Sequence, residues 1–102
     1  MVKLGLYVRL EARPGKEQEV EALLRSALQL AEDEPGTLVW YAVKFDAATF
    51  AIFDAFATEE GRQDHLNGRI AAALMSKADE LLAKPPVIER WDAVAVLKPR
   101  AS

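Results

Sequence analysis

The chain contains no cysteine among its 102 residues. That excludes disulfides, thiolate metal sites, iron–sulfur clusters and a cysteine nucleophile. It also fits a reducing cytoplasm, which is the expected location. There is a single histidine, so a two-histidine, one-carboxylate metal site cannot be built within one chain, and no metal is expected. No Gly-x-Gly-x-x-Gly and no P-loop occur, so nucleotide and flavin sites lack their usual signatures. The serines, Ser26, Ser76 and Ser102, fall in helical patterns or the tail, away from any nucleophile elbow. No apolar run approaches the roughly 20 residues of a membrane span, and no membrane partner is expected. Met1-Val2-Lys3-Leu4 runs straight into a strand pattern, without the apolar stretch of a signal peptide. Basic residues are outnumbered 13 to 16, giving a net charge of -3, so there is no footprint for nucleic acid.

What is present is a hydrophobic fraction of 51% with 28% charge, the balance of a globular chain. Its length fits one domain over residues 1–102, with a frayed tail from Lys98 to Ser102. Leu4, Leu6, Val8 and Leu10 alternate with Gly5, Tyr7 and Arg9, the period of a strand. Arg13-Pro14-Gly15-Lys16 ends it as a turn. Val20, Leu23, Leu24, Ala27, Leu28 and Ala31 then follow helical spacing, and Pro35-Gly36 closes that segment. Thr37 to Phe45 and Phe50 to Ala57 read as two strands of a hairpin. Thr58 suits an N-cap for a short helix from Glu59 to about Leu66. After Asn67-Gly68, Ile70, Leu74, Ala78, Leu81 and Leu82 mark another helix, stopped by Pro85-Pro86. Val87 to Leu97 is the last strand. The order predicts an α+β, ferredoxin-like βαββαβ antiparallel sheet with helices on one face.

The hairpin raises a packing problem. With Ala47-Ala48 at the loop tip, Phe45 faces Phe50, Val43 faces Ile52, Tyr41 faces Asp54 and Val39 faces Phe56. The other face carries Trp40, Ala42 and Lys44 against Ala55, Phe53 and Ala51. Both faces are mostly apolar, yet helices on one side cover only one. A one-sided sheet should be polar on its open face. The open face is therefore expected to meet a second copy of the chain, as a homodimer. The face with Tyr41, Asp54 and Phe56 is expected to be the pocket wall, and that with Trp40 and Phe53 the partner-covered one.

Three features could carry chemistry. His65 could be a general base near neutral pH, or merely a cation at a helix C-terminus. Asp54 stands among Phe50, Ile52, Phe53 and Phe56 on a strand that should be central, where a carboxylate is costly to bury. It is either a functional group or one satisfied by Tyr41, Arg9 or a backbone amide. Trp40, Trp91, Tyr7, Tyr41 and the phenylalanines could line a pocket for a planar ligand, or form plain core.

Arg13-Pro14-Gly15, Glu34-Pro35-Gly36, and Phe53-Asp54-Ala55-Phe56 leading to His65 together give a pattern over nearly the whole chain. It resembles the antibiotic biosynthesis monooxygenase family of dimeric α+β barrels, which includes quinol monooxygenases. That family often has Glu-x-Trp where this chain has Asp54 and Phe56, and a histidine after the short helix, matched by His65. The resemblance implies a cofactor-independent monooxygenase that oxidises a small aromatic quinol or anthrone-like substrate with dioxygen, using neither metal nor flavin. An ionised phenol can itself pass an electron to oxygen, so the protein need only bind the ring, remove a proton and exclude water. His65 is then the expected base, with Asp54 orienting it or taking its place. Tyr41, Phe56, Phe50, Trp40 and Trp91 are the expected substrate-binding residues. A non-catalytic ligand-binding or structural homodimer is the alternative, since a fold does not fix a function. Haem degradation, which related barrels perform, typically uses a first-strand asparagine. Leu4 to Leu10 has none, and Asn67 lies on another element.

Overall fold

The computed structural model describes residues 1–100, so the end of the expected frayed tail lies outside the described residues. Strand β1 (Leu4–Glu11) leads to helix α1 (Glu17–Glu32), then β2 (Thr37–Lys44) and β3 (Thr49–Phe56). Helices α2 (Glu59–Leu66) and α3 (Arg69–Leu81) follow, and β4 (Val87–Asp92) ends the ordered elements. The sheet order is β2-β3-β1-β4, with every neighbouring pair antiparallel. This is the ferredoxin-like arrangement that the alternation of periods predicts.

The core lies between the helices and one sheet face. Helix α1 turns Val20, Leu24, Ala27 and Ala31 inward, and α3 turns Ile70, Leu74, Ala78 and Leu81. They meet Val8 and Leu10 from β1 and Phe50 and Ile52 from β3. Phe50, Phe56, Leu6 and Leu10 are at most 2% exposed, so each supplies close to the full burial energy of its side chain, about 1.5–3 kcal/mol.

The hairpin register differs from the sequence expectation by one residue. Asp46 Oδ1 accepts hydrogen bonds from the backbone amides of Ala48 and Thr49, at 3.0 and 2.9 Å. The Phe45 amide donates to the Thr49 carbonyl at 2.8 Å, closing a loop of Asp46, Ala47 and Ala48. An Asx turn thus adds one residue to the expected two-residue tip. Trp40 now faces Asp54, Ala42 faces Ile52 and Lys44 faces Phe50. A one-residue slip moves every side chain of β2 to the other face. Trp40 joins Asp54, Phe56 and the helices. Tyr41 goes to the open face, where the expectation had placed Trp40. A further irregularity at Leu38 lies between the pairs Thr37–Phe56 and Val39–Ala55.

The open face is apolar. Tyr41 and Phe53 are 60% and 38% exposed. Their rings stack at 6.4 Å, and Phe53 stacks on Trp91 at 5.0 Å. The last strand is shorter than expected, ending at Asp92 rather than Leu97. Residues 93–99 instead border a cavity of about 870 Å³ with Tyr41, Phe53 and Trp91.

Candidate functional site

No apolar side chain of helix α2 is fully buried; its buried residues are Gly61, Arg62 and His65. Polar contacts dock it instead. Thr58 caps it, its hydroxyl accepting from the Gly61 amide at 3.0 Å. Arg62 grips both Glu59 oxygens at 2.8 Å and donates to the Gly5 carbonyl on β1 at 3.2 Å. A Cβ on Gly36 would stand 3.2 Å from the Gly61 Cα. Glycine at both positions therefore lets the first turn of α2 lie against the start of β2.

That docking aims the last turn of α2 at β3. His65 is 6% exposed. Its Nδ1 lies 2.6 Å from Glu34 Oε1, and its Nε2 lies 2.9 Å from Asp54 Oδ2. Glu34 sits just beyond α1, and the Thr37 hydroxyl donates to the same oxygen at 2.7 Å. Asp54 is completely buried on central strand β3. Its contact with Nε2 is close but poorly aligned for a directed hydrogen bond, and neither Asp54 oxygen has an aligned donor. We read the pair as an ion pair, because the separation is short and the surroundings exclude water. Phe56 packs against the imidazole, with ring centres 5.3 Å apart.

The geometry favours a charged ring. Each ring nitrogen faces a carboxylate oxygen, and an ionised carboxylate can only accept, so the arrangement favours hydrogen on both nitrogens. Burial opposes the resulting cation. The facing carboxylates of Asp54 and then Glu34 outweigh it, and the pKa of His65 stands above its ordinary value. An imidazolium has no lone pair with which to take a proton. In that state the lone pairs of the cluster belong to the carboxylates.

His65 and Asp54 thus meet in space, with Phe56 beside them and Trp40 across the strand pair from Asp54. Phe50 shares that face. Tyr41 and Trp91 are on the opposite, open face and touch neither His65 nor Asp54; the slipped register accounts for Tyr41. Tyr41 and Arg9 are not the partners of Asp54. Glu34 and Arg62 were not foreseen as site residues. Glu34 was visible only as part of Glu34-Pro35-Gly36, and Arg62 only as one charge on a polar helix. Among the described residues no group of three or more His, Cys, Asp or Glu side chains is arranged to hold a metal ion. No described helix is long and apolar enough to cross a membrane.

His65 and Glu34 border a surface cleft of about 160 Å³, below the roughly 300–1,000 Å³ typical of ligand sites. A larger groove of about 440 Å³ lies between α1 and β2, bordered by Trp40 and Phe50.

An antiparallel four-stranded sheet, helices on one face and a buried acid–imidazole–acid cluster define a ferredoxin-like α+β domain with a polar centre in its core. The chain belongs to the antibiotic biosynthesis monooxygenase family, whose match spans residues 4–77. It is similar to the solved NE2512 protein of Nitrosomonas europaea, a protein of unknown function, at 54% identity and a TM-score of 0.94, covering 99% of this chain and 98% of that one. PA3566 from Pseudomonas aeruginosa shares the fold at 20% identity and a TM-score of 0.79, over 93% of this chain and 97% of that one. A structure described as an antibiotic biosynthesis monooxygenase shares it at 17% identity and a TM-score of 0.77, over 90% and 99% of the two chains. The comparison with curated proteins finds no match.

Proposed function

We propose that the chain is a cofactor-independent monooxygenase acting on a small aromatic compound with an ionisable hydroxyl or an acidic ring CH2, a quinol or an anthrone. The supporting observation is the fully buried Asp54 carboxylate, held 2.9 Å from the His65 imidazole in an apolar core. Asp54 takes the substrate proton. His65 supplies a fixed positive charge beside the anion formed, and Glu34 holds the imidazole from its other side. Such preorganised charge acts strongly where water is excluded. The substrate anion gives an electron to dioxygen, and the two radicals recombine. For an anthrone, the ring CH2 becomes a carbonyl, and the second oxygen atom leaves as water. His65, the base expected from sequence, is assigned the role of positioning cation, and Asp54 that of base.

Oxygen uptake by metal-free protein with an anthrone or a simple quinol is the direct test. Asp54→Asn keeps the size of the side chain but removes the base, and should slow turnover by about 10²–10⁴-fold. Unchanged turnover in Asp54→Asn would remove Asp54 from the mechanism.

We propose further that the chain is a cytoplasmic homodimer, with a second copy over the stacked row of Tyr41, Phe53 and Trp91. Sedimentation should give twice the chain mass, and Phe53→Glu should shift it toward monomer. A stable wild-type monomer would end this part of the account. A non-catalytic binding or structural dimer is the second reading. It is favoured by one fact: neither Asp54 nor His65 borders the 440 or the 870 Å³ space. Saturable binding of aromatics without oxygen uptake would support it.

A further inference from the structure

The groove between α1 and β2 has an apolar floor of Leu24, Leu28, Ala42 and Phe50, with Lys44 and Arg25 at its rim. Both cations pair with Glu21, at 3.0 and 2.9 Å. The floor exists because Ala42, on the helix side of edge strand β2, leaves space that α1 does not fill. Along that face the order is Lys44, Ala42, Trp40, opposite Phe50, Ile52, Asp54. The groove runs past the first two and stops at Trp40. The next position across the strands is Asp54.

Two polar atoms at this end are unpartnered. Trp40 Nε1 is buried and donates to nothing, and Asp54 Oδ1 has no donor, while Oδ2 is taken by the ion pair with His65. A buried donor without an acceptor is costly, as is an acceptor without a donor. A hydroxyl group answers both, since it donates one hydrogen and accepts through its lone pairs. Carbonyl, ether and methyl groups do not.

We propose that Trp40 is a gate between this groove and Asp54, and that the groove receives a one- or two-ring aromatic hydroxyl compound. Its hydroxyl donates to Asp54 and accepts from the Trp40 indole N–H once the indole swings aside. The volume of about 440 Å³ suits such a ligand. The inference rests on the reading of Asp54 as the substrate-facing group, and gives that reading its route of access.

The test reads the Trp40 indole N–H directly by 1H–15N NMR of the full chain under anaerobic conditions. The chain has two tryptophans, so the indole signal missing from Trp91→Phe identifies the other as Trp40. Toluhydroquinone should move the Trp40 signal saturably, and its dimethyl ether should not. Ala42→Leu, an exposed edge-strand change that fills the groove, should weaken binding at least tenfold. A Trp40 signal unmoved by millimolar toluhydroquinone, moved equally by the ether, or moved unchanged in Ala42→Leu would overturn the gate. Oxygen uptake is scored separately. A moving signal without uptake upholds the gate and defeats the monooxygenase reading. Uptake that survives Ala42→Leu with a static signal does the reverse.

Discussion

His65→Leu should lower stability at pH 7 by about 3 kcal/mol or more, as expected when one partner of a buried ion pair is removed. The substitution leaves the buried Asp54 without a cation and removes one of the few ties holding α2, whose inward face is Gly61, Arg62 and His65. Urea unfolding at fixed protein concentration measures the loss. The same experiment has a pH signature. The folded state raises the pKa of His65 above its ordinary 6.5. Its contribution is therefore fully present below about pH 6.5 and is lost as the pH rises through the folded-state pKa. Wild-type stability should fall across that interval, and the fall should disappear in His65→Leu. An equal slope in both proteins would show that the proton resides elsewhere.

Gly5→Ala should destabilise by about 1–3 kcal/mol or more, an overpacking cost raised by unyielding neighbours. A Cβ at Gly5 would collide with the Trp91 indole and with the backbone carbonyl oxygen of Asp54. The indole is stacked on Phe53, and the carbonyl belongs to the neighbouring central strand. Relief requires either moving Trp91 from the aromatic row on the open face or parting β1 from β3 next to Asp54. For a chain of this size, each kcal/mol lowers Tm by roughly 4–8 °C. A calorimetric Tm within a degree of wild type would mean that the strands separate at little cost.

The fold was legible because hydrophobic period is a local property. Leu4 to Leu10 alternate, Val20 to Ala31 recur at helical spacing, and both patterns became the elements they predicted. Asp54 and His65 were legible for a different reason: a lone acid in an apolar strand and a lone histidine are conspicuous. What failed was register. It depended on a single Asx turn at Asp46, and turning Ala47-Ala48 into a two-residue tip exchanged Trp40 for Tyr41 at the site. Glu34 reaches His65 across 31 positions of sequence, through a glycine–glycine contact that no local pattern encodes. Arg62 looked like surface charge because its acceptors, Gly5 and Glu59, include a backbone carbonyl on a distant strand. Val94 and Val96 kept the alternation of a strand, yet β4 stops at Asp92, where its pairing with Leu4 ends.

The central claim is that His65 is a fixed cation between Asp54 and Glu34, leaving the carboxylate of Asp54 as the proton acceptor. The chain has one histidine, so a long-range 1H–15N spectrum of its imidazole is unambiguous. At pH 7 both ring nitrogens should appear protonated, with the transition to the neutral ring displaced above its ordinary pH. A neutral single tautomer at pH 7 would contradict the account and return the role of base to His65.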